Sequence, residues 1–499
     1  MIKFFQKYHK WLSIILSIFI LLFAISGIIL NHRKLFSHID ISRNYLPKVY
    51  RYNNWDNGAV RGTLKIDSNK ICIYGDIGIW QTDSSFSKFT DFNYGLPTGM
   101  DNRKICKLFK NSKNKLFAGT LFGLYKYNNT KHRWEAIPIP VENKRVVDIT
   151  EKNDTLLVLT RSYLLYTKDY KHFTKKILPP SQNYDDKIGL FKTIWVIHNG
   201  EIYGKLGKVI VDIIGLIFIF LTITGLIFFI NRTNRKKSKH LSTKHKKLTK
   251  WSLKWHNKIG WTTILLLLIT TTTGMFLRPP LLIFIANTKV DKIPYSKLDV
   301  PNPWYDKLRR IIYDREINRY LVATTDVIYY SDDNFRSNLK TFNIQPPISV
   351  MGVNVFRKTS KNTYLVGSFD GLFEWNPESG KIIDYITKST DVATSNIGAP
   401  IGEFMITGMT TDYHNKEVYF TYNMGAISNN TRFVKMPPQI KNLPMSLWNV
   451  ALEFHTMRIY QALLGSFYIL LIPLLGITIL FILISGVVVW LKKSYKTKA

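Results

Sequence analysis

Four of the eleven histidines recur at matched places beside long apolar runs. His198 leads the stretch IHNGEIYGKLG and His455 the stretch HTMRIYQALLG, each just before such a run. His9 and His256 sit in KYHKWLSIILSIFILLFAISGIIL and KWHNKIGWTTILLLLITTTTGMFL, at the starts of two more. Two imidazoles from neighbouring helices can occupy both axial positions of a haem iron, and the core of a helix bundle is where such sites are built. The sequence therefore predicts two haem b groups, one held by His9 and His256 and the other by His198 and His455. Zinc is a poorer fit, because each site offers too few ligands and no Cys or carboxylate cluster completes one. For any single one of these histidines, the bland alternative is an amphipathic ring at a bilayer interface.

His32 stands 23 residues after His9, roughly 34 Å along a helix. Its repeat position is Pro279, so it has no twin, and it is the substitute ligand if the first helix rather than the fourth faces His198. Arg33 and Arg278 end apolar runs on that side. They could pair with haem propionates or snorkel to lipid headgroups. Ser26, Gly27, Gly225, Gly274, Gly486 and Thr270 to Thr273 would let a porphyrin approach the backbone, or simply let helices pack closely. Asp212 lies inside an apolar run, where lipid exposure is costly, so it should face the bundle. The remaining histidines, His38, His132, His172, His240, His245 and His414, read as solvated or structural.

The elements that must position these residues are four membrane helices. Apolar runs near the spanning length of roughly 20 residues occupy about 11–30, 208–230, 259–277 and 463–491 of the 499-residue chain. The formal charge of +35 could suggest nucleic acid, but its distribution argues against that. Residues 231–258 hold eleven Lys or Arg and no acid, including Arg232, Lys239 and Lys258; Lys3, Lys7, Lys10, Lys492, Lys493, Lys496 and Lys498 flank the outermost runs. The positive-inside rule puts these three segments in the cytoplasm, both termini included. No small-residue cleavage site follows the first run, which is read as a retained helix. The two long inserts therefore belong on the opposite side of the membrane, where their charge is clearly positive.

The chain is written twice. His9 falls on His256, Gly27 on Gly274 and Leu30 on Leu277 at one offset of 247 residues. After His198 and His455, Ile-Tyr follows at the same spacing, and each copy ends in glycines ten apart, Gly215 and Gly225 against Gly476 and Gly486, with four extra residues in the second copy. The inserts match as well, LFAGTLFGLYKYN (116–128) resembling YLVGSFDGLFEWN (364–376). Short alternating runs recur at about 40-residue spacing, near 70–92, 115–137 and 155–177, then near 307–342, 350–387 and 404–435, a pattern typical of propeller blades. The fold class predicted is a four-helix transmembrane bundle from an internal duplication, whose two extracytoplasmic β inserts form one six-bladed β-propeller; two separate β-sandwich-like domains are the alternative. The division runs 1–31 (cytoplasmic N-terminus and first helix), 32–197 (β insert), 198–231 (second helix), 232–255 (basic cytoplasmic loop), 256–278 (third helix), 279–454 (β insert) and 455–499 (fourth helix and tail). Cys72 and Cys106 both fall in the first insert, where an oxidising compartment permits a disulfide; unpaired core thiols are the reading preferred.

FFQKYHKWLSIILSIFILLFAISGIIL followed by IHNGEIYGKLGKVIVDIIGLIFIFLTITGLIFF, repeated once, resembles the PepSY-associated transmembrane family of bacterial iron-regulated membrane proteins. The resemblance rests on His9 and Trp11 as a His-x-Trp near the first helix start, and on His198, Gly200, Glu201 and Gly204 as a His-x-Gly-Glu-x-x-Gly lead-in to the second. It implies an inner-membrane protein and, as in siderophore-reductase members, a haem-bearing bundle that passes electrons outward to ferric chelates. The sequence departs from the pattern at Ser13 and Lys258, which replace expected Gly and Trp, at HTMRIYQ, which lacks the glycines, and in the inserts, which carry no PepSY module.

The function expected is transmembrane haem-dependent electron transfer, a ferric (siderophore) reductase acting on a chelate or another outer acceptor. A quinol or a cytoplasmic protein would be the donor, since no GxGxxG fingerprint of a flavin or nicotinamide site is present. Membrane lipid is a partner and nucleic acid is not. The alternative is a non-catalytic receptor or regulator whose propeller binds a periplasmic partner; a transporter is a third reading, but paired broken helices of the kind transport sites use are missing.

Overall fold

The computed structural model describes residues 2–237, 242–391, 402–428 and 432–496. Lys239, His240 and Lys498 lie outside the described residues. The chain divides into a helical unit, Met1–Phe36, Asp186–Val300 and Trp448–Ala499, and a β unit, Ser37–Asp185 and Pro301–Leu447.

The helical unit is built from α1 (Ile2–Asn31), α2 (Leu190–His198), α3 (Gly204–Lys237), α4 (Thr243–Phe276), α5 (Leu447–His455) and α6 (Leu471–Lys496). Four stretches, Ile2–Asn31, Glu201–Asn234, Thr243–Phe276 and Arg458–Lys492, are long and apolar enough to cross a membrane. The long helices pack in a ring in which α1 touches α3 and α6, and α4 touches the same two. Thus α1 lies diagonal to α4, the arrangement in which residues of both reach one core. The segment expected as a basic loop, 232–255, is instead largely helical, with α3 running on to Lys237 and α4 beginning at Thr243. Lys and Arg are good helix formers, and the Ser242 side chain caps α4 by accepting from the His245 backbone N–H.

The duplication has a physical counterpart at the turns. Gly200 is left-handed (φ 76), and a Cβ there would lie 2.1 Å from the Gly207 carbonyl oxygen, so the glycines of the first lead-in let the turn lie on the following helix. In the second copy Met457 occupies the place of Gly200 with φ 56 and a fully buried side chain. That conformation costs roughly 1–2 kcal/mol for a residue with a Cβ; burial of Met457 among Leu16, Ile20, Leu475 and Ile479 offsets it. The four extra residues form the short helix Gln461–Leu464, after which Gly465 (φ 54, ψ −138) repeats the conformation of Gly204 (φ 61, ψ −133).

In the β unit, four-stranded antiparallel sheets occupy 105–137, 146–176, 310–341 and 355–384, and a seven-stranded sheet joins the four strands of 62–91 to the three of 406–427. The hairpins follow from turn chemistry: Asn153-Asp154 and His414-Asn415 supply the pairs of positive φ that two-residue loops require. His414 is therefore a turn residue. The strands that begin at 62, 105, 146, 310, 355 and 406 touch one another in chain order, and Met409 of the last pairs in parallel with Gly62 of the first. Second strands such as Thr155–Thr160 are buried on both faces because sheets pack on either side.

The two inserts share their cores. Tyr52, Trp55, Ile71 and Trp80 pack with Tyr413, Val418, Phe420 and Phe433, while Val147, Leu157 and Leu164 pack with Trp304, Ile311 and Tyr320. Asp40–Ile41 also pairs with Met445–Ser446. Cys72 and Cys106 are free, buried thiols, and burial pushes the Cys72 thiol up to about 12. Trp55 is fully buried, its indole N–H donating to the Val434 carbonyl at 2.8 Å. Trp55→Ala should cost about 3–5 kcal/mol. Limited proteolysis of the full chain should then cut both inserts faster than in the wild type; faster cutting of the first insert alone would contradict a shared core.

Candidate functional site

Each of the four matched histidines rests on a neighbouring helix in the same way. His9 on α1 places Nδ1 2.9 Å from the Ile482 carbonyl and 3.1 Å from Ser485 Oγ of α6. His256 on α4 places Nδ1 3.1 Å from the Leu221 carbonyl and 3.1 Å from Thr224 Oγ1 of α3. His198, the last residue of α2, approaches the Thr270 carbonyl at 3.1 Å and Thr273 Oγ1 at 3.2 Å on α4. His455, the last residue of α5, approaches Ser26 Oγ of α1 at 2.9 Å and the Phe23 carbonyl.

A carbonyl only accepts, so Nδ1 carries the proton and donates it in every case. The hydroxyls of Ser485, Thr224 and Thr273 donate back to carbonyls of their own helices, which leaves an oxygen lone pair for Nδ1–H. Fixing the proton on Nδ1 leaves Nε2 unprotonated, the arrangement that a ligating imidazole needs. A glycine follows each hydroxyl residue, because the ring lies against the backbone there. A Cβ at Gly274 would lie 2.8 Å from His198 Cε1, at Gly486 3.1 Å from His9 Cε1, at Gly27 3.4 Å from His455 Cε1 and at Gly225 3.5 Å from His256 Cε1.

The cradled histidines meet in two pairs. The ring centres of His9 and His256 are 6.3 Å apart, and those of His198 and His455 are 6.1 Å apart. Metal–imidazole bonds of about 2.0–2.1 Å, with a ligand on either side of one ion, put ring centres about 6 Å apart. The donor set is thus two imidazoles per site; among the described residues no group of three or more His, Cys, Asp or Glu could hold a metal ion alone. Ser252, one turn before His256 on α4, has a fully buried hydroxyl with no hydrogen-bond partner among the described residues.

The other expected residues fall outside the pairs to different degrees. His32 does not substitute for His455, because its Nε2 sits 2.6 Å from Asp212 Oδ2. Asn31 donates to the other Asp212 oxygen at 3.1 Å, so the carboxylate faces α1. Arg33 lies over the Trp448 ring, 3.6 Å from its centre. Arg278 does belong near the outer pair, since its charge acts on His455; burial, together with Arg458, pushes its guanidinium below the ordinary range. Sequence reasoning missed Thr224 and Ser485. The signal was present, since all four cradles are a hydroxyl residue followed by glycine: Ser26-Gly27, Thr224-Gly225, Thr273-Gly274 and Ser485-Gly486.

The family model of the PepSY-associated TM region matches residues 166–493, about two thirds of the chain. The chain belongs to this family. The match takes in His198, His256 and His455 with their lead-ins, in a PepSY-associated TM region protein whose first half repeats the same helices. No curated protein matches it. Among solved structures, it is similar to the extracellular domain of a hybrid two-component system from B. thetaiotaomicron, at 10% identity and TM-score 0.36, over 74% of this chain and 32% of that one. A one-component-system extracellular domain from B. thetaiotaomicron gives 12% identity and TM-score 0.35, over 78% and 36%. The computationally designed Ika8 protein gives 9% identity and TM-score 0.29, over 75% and 96%. The chain spans about a third of the length of the two bacterial domains.

Proposed function

We propose that this PepSY-associated protein binds two b-type haems and passes electrons across the inner membrane to a ferric chelate on the outer side. The observation that supports the reading is the fourfold cradle, which holds the proton of each imidazole on Nδ1 and brings the four rings together as two pairs. His9 with His256 and His198 with His455 would hold the two haems, and the charge of Arg278 acts on the outer pair. Haem brings its own four equatorial nitrogens and supplies one-electron redox chemistry when bound. Two imidazoles suffice for such a group and would not suffice for a bare ion. The glycines keep the imidazoles pressed to the helices, and the buried Ser252 hydroxyl lies one turn from His256, where a polar edge of the group could meet it.

The levels of the two pairs suit a relay. His9 and Ser26, the cradle of His455, are 17 residues apart on α1, about 25 Å along the axis, against a hydrocarbon layer of about 30 Å. Basic segments beside His9 and His256 support a cytoplasmic position for that end and a periplasmic one for the β unit. We read the strand groups at 62–91, 105–137, 146–176, 310–341, 355–384 and 406–427 as the blades of a six-bladed propeller, the first and last meeting in one sheet. A quinol or a cytoplasmic protein is the donor. The excess of cations in the inserts favours an anionic acceptor by long-range attraction.

The test uses the full chain in detergent, reduced with dithionite without oxygen and mixed with ferric citrate or ferric siderophores. The α-band should bleach as ferrozine traps ferrous iron. A reduced spectrum that persists with every ferric compound, together with capture of a protein partner by the β unit, would replace this reading with that of a receptor.

A further inference from the structure

A concavity of about 320 Å³ opens in the β unit between the turns at 42–53 and the short helix Pro438–Lys441. Arg43, Lys48, Arg51 and Lys441 line it, and no acid does. The turns are held by their own hydrogen bonds. Ser42 Oγ accepts from the Asn44 backbone N–H at 3.3 Å, Arg51 Nη2 donates to the Asn44 carbonyl at 3.3 Å, and the Asn57 amide donates to the Val49 carbonyl at 3.1 Å. Arg43 is fixed from three sides. Its Nε donates to the Leu443 carbonyl at 3.1 Å, its Nη1 donates to the Tyr50 carbonyl, and its guanidinium carbon lies 3.9 Å from the centre of the buried Tyr52 ring. These contacts do not use Nη2.

Among the described residues none of the four cations forms an ion pair. The charge of Arg43 reaches Asp56 only at longer range, and that carboxylate already accepts from the Asn53 backbone N–H at 3.1 Å and the Asn57 amide at 3.3 Å. Elsewhere in the β unit arginines are matched with carboxylates: Arg61 with Asp76, Arg161 with Asp306, Arg319 with Asp332 and Arg357 with Glu417. Four cations without counter-ions around one concavity call for an anion, and one of high charge. A phosphate group brings close to two charges and three acceptor oxygens in a compact unit, where a carboxylate brings one charge. Guanidinium forks match its oxygens, ammonium groups add point charges, and the amides of Asn44, Asn53 and Asn442 on the same lining can donate to what remains. The volume lies within the ordinary range for small-molecule sites, roughly 300–1,000 Å³.

We propose that this concavity binds a phosphate-bearing anion through Arg43, Lys48, Arg51 and Lys441. The phosphate belongs either to a lipid headgroup or to a free compound. Haem has no part in this binding, which therefore stands or falls apart from the electron-transfer reading.

Calorimetric titration of the full chain in detergent, at constant ionic strength, tests it with three probes: inorganic pyrophosphate, cardiolipin in micelles of the same detergent, and succinate as a carboxylate dianion. The wild type should bind at least one phosphate probe saturably and succinate more weakly. Lys48, Arg51 and Lys441 are exposed, so the triple variant Lys48→Gln, Arg51→Gln, Lys441→Gln should keep the wild-type circular dichroism. Its affinity for the phosphate probe should fall at least about tenfold, as the loss of charge-assisted hydrogen bonds requires. That fall with pyrophosphate would identify a free compound as the ligand, and the fall with cardiolipin alone a headgroup; either upholds the site. Saturable binding of neither phosphate probe, succinate bound as tightly as the phosphates, or wild-type affinity in the triple variant would each overturn it.

Discussion

Replacing His256 by Ala should remove about half of the Soret absorbance from the purified chain and leave the other half unshifted. The imidazole lost is one of two on its site, its partner His9 being 6.3 Å away between ring centres. Six-coordinate binding cannot survive with one axial ligand gone. The second pair belongs to α2 and α5 and rests on Thr273 and Ser26, at the opposite ends of α4 and α1. Substitutions so far apart with no shared partner act independently. His455→Ala should give the complementary half. The double variant should lack haem while remaining helical, since each imidazole adds only its Nδ1–H bond to helix contacts that are otherwise apolar. Full haem content in both single variants would sink the pairing.

Gly274→Ala should also disturb the outer site, and it does so without removing a ligand. The added Cβ would meet His198 Cε1 at 2.8 Å, and the ring cannot simply slide away because its Nδ1 is tied to the Thr270 carbonyl and Thr273 hydroxyl. The imidazole must tilt, and its Nε2 loses its aim. Gly27→Ala is the control, since its Cβ would stand at an ordinary 3.4 Å from His455. Helix propensity favours Ala over Gly by about 1 kcal/mol, so a general loss of stability is not expected from either change. The measurement is haem per chain and the redox midpoint of each variant. Gly274→Ala should lose or shift the outer component while Gly27→Ala matches the wild type; equal behaviour of the two would show that the cradle does not set the ligand position.

Much of this site was legible because a duplication marks its own constraints. His9 and His256, and then His198 and His455, could be paired by register alone. The hydroxyl-glycine dipeptides were equally readable, but two of the four, Thr224-Gly225 and Ser485-Gly486, were seen only as glycines. What could not be read was which helix each ring would touch, because that depends on the ring of four helices and not on any one of them. Asp212 illustrates the point: its cost in lipid predicted a buried partner, yet only helix packing brought His32 and Asn31 to it. Met457 shows the reverse, a missing glycine that looked like a broken motif and turned out to keep the same left-handed turn through a buried side chain. The basic segment beside the third span was misjudged as loop because its charge was read before its helix propensity.

The most direct measurement is the visible absorption spectrum of the detergent-purified full chain, with haem per chain determined from a quantitative pyridine extract. The account predicts a Soret band with sharp α and β bands on reduction, as bis-histidine haem requires, and about two haems per chain, one for each cradled pair. A chain that is folded and colourless after growth with ample iron and haem would contradict it.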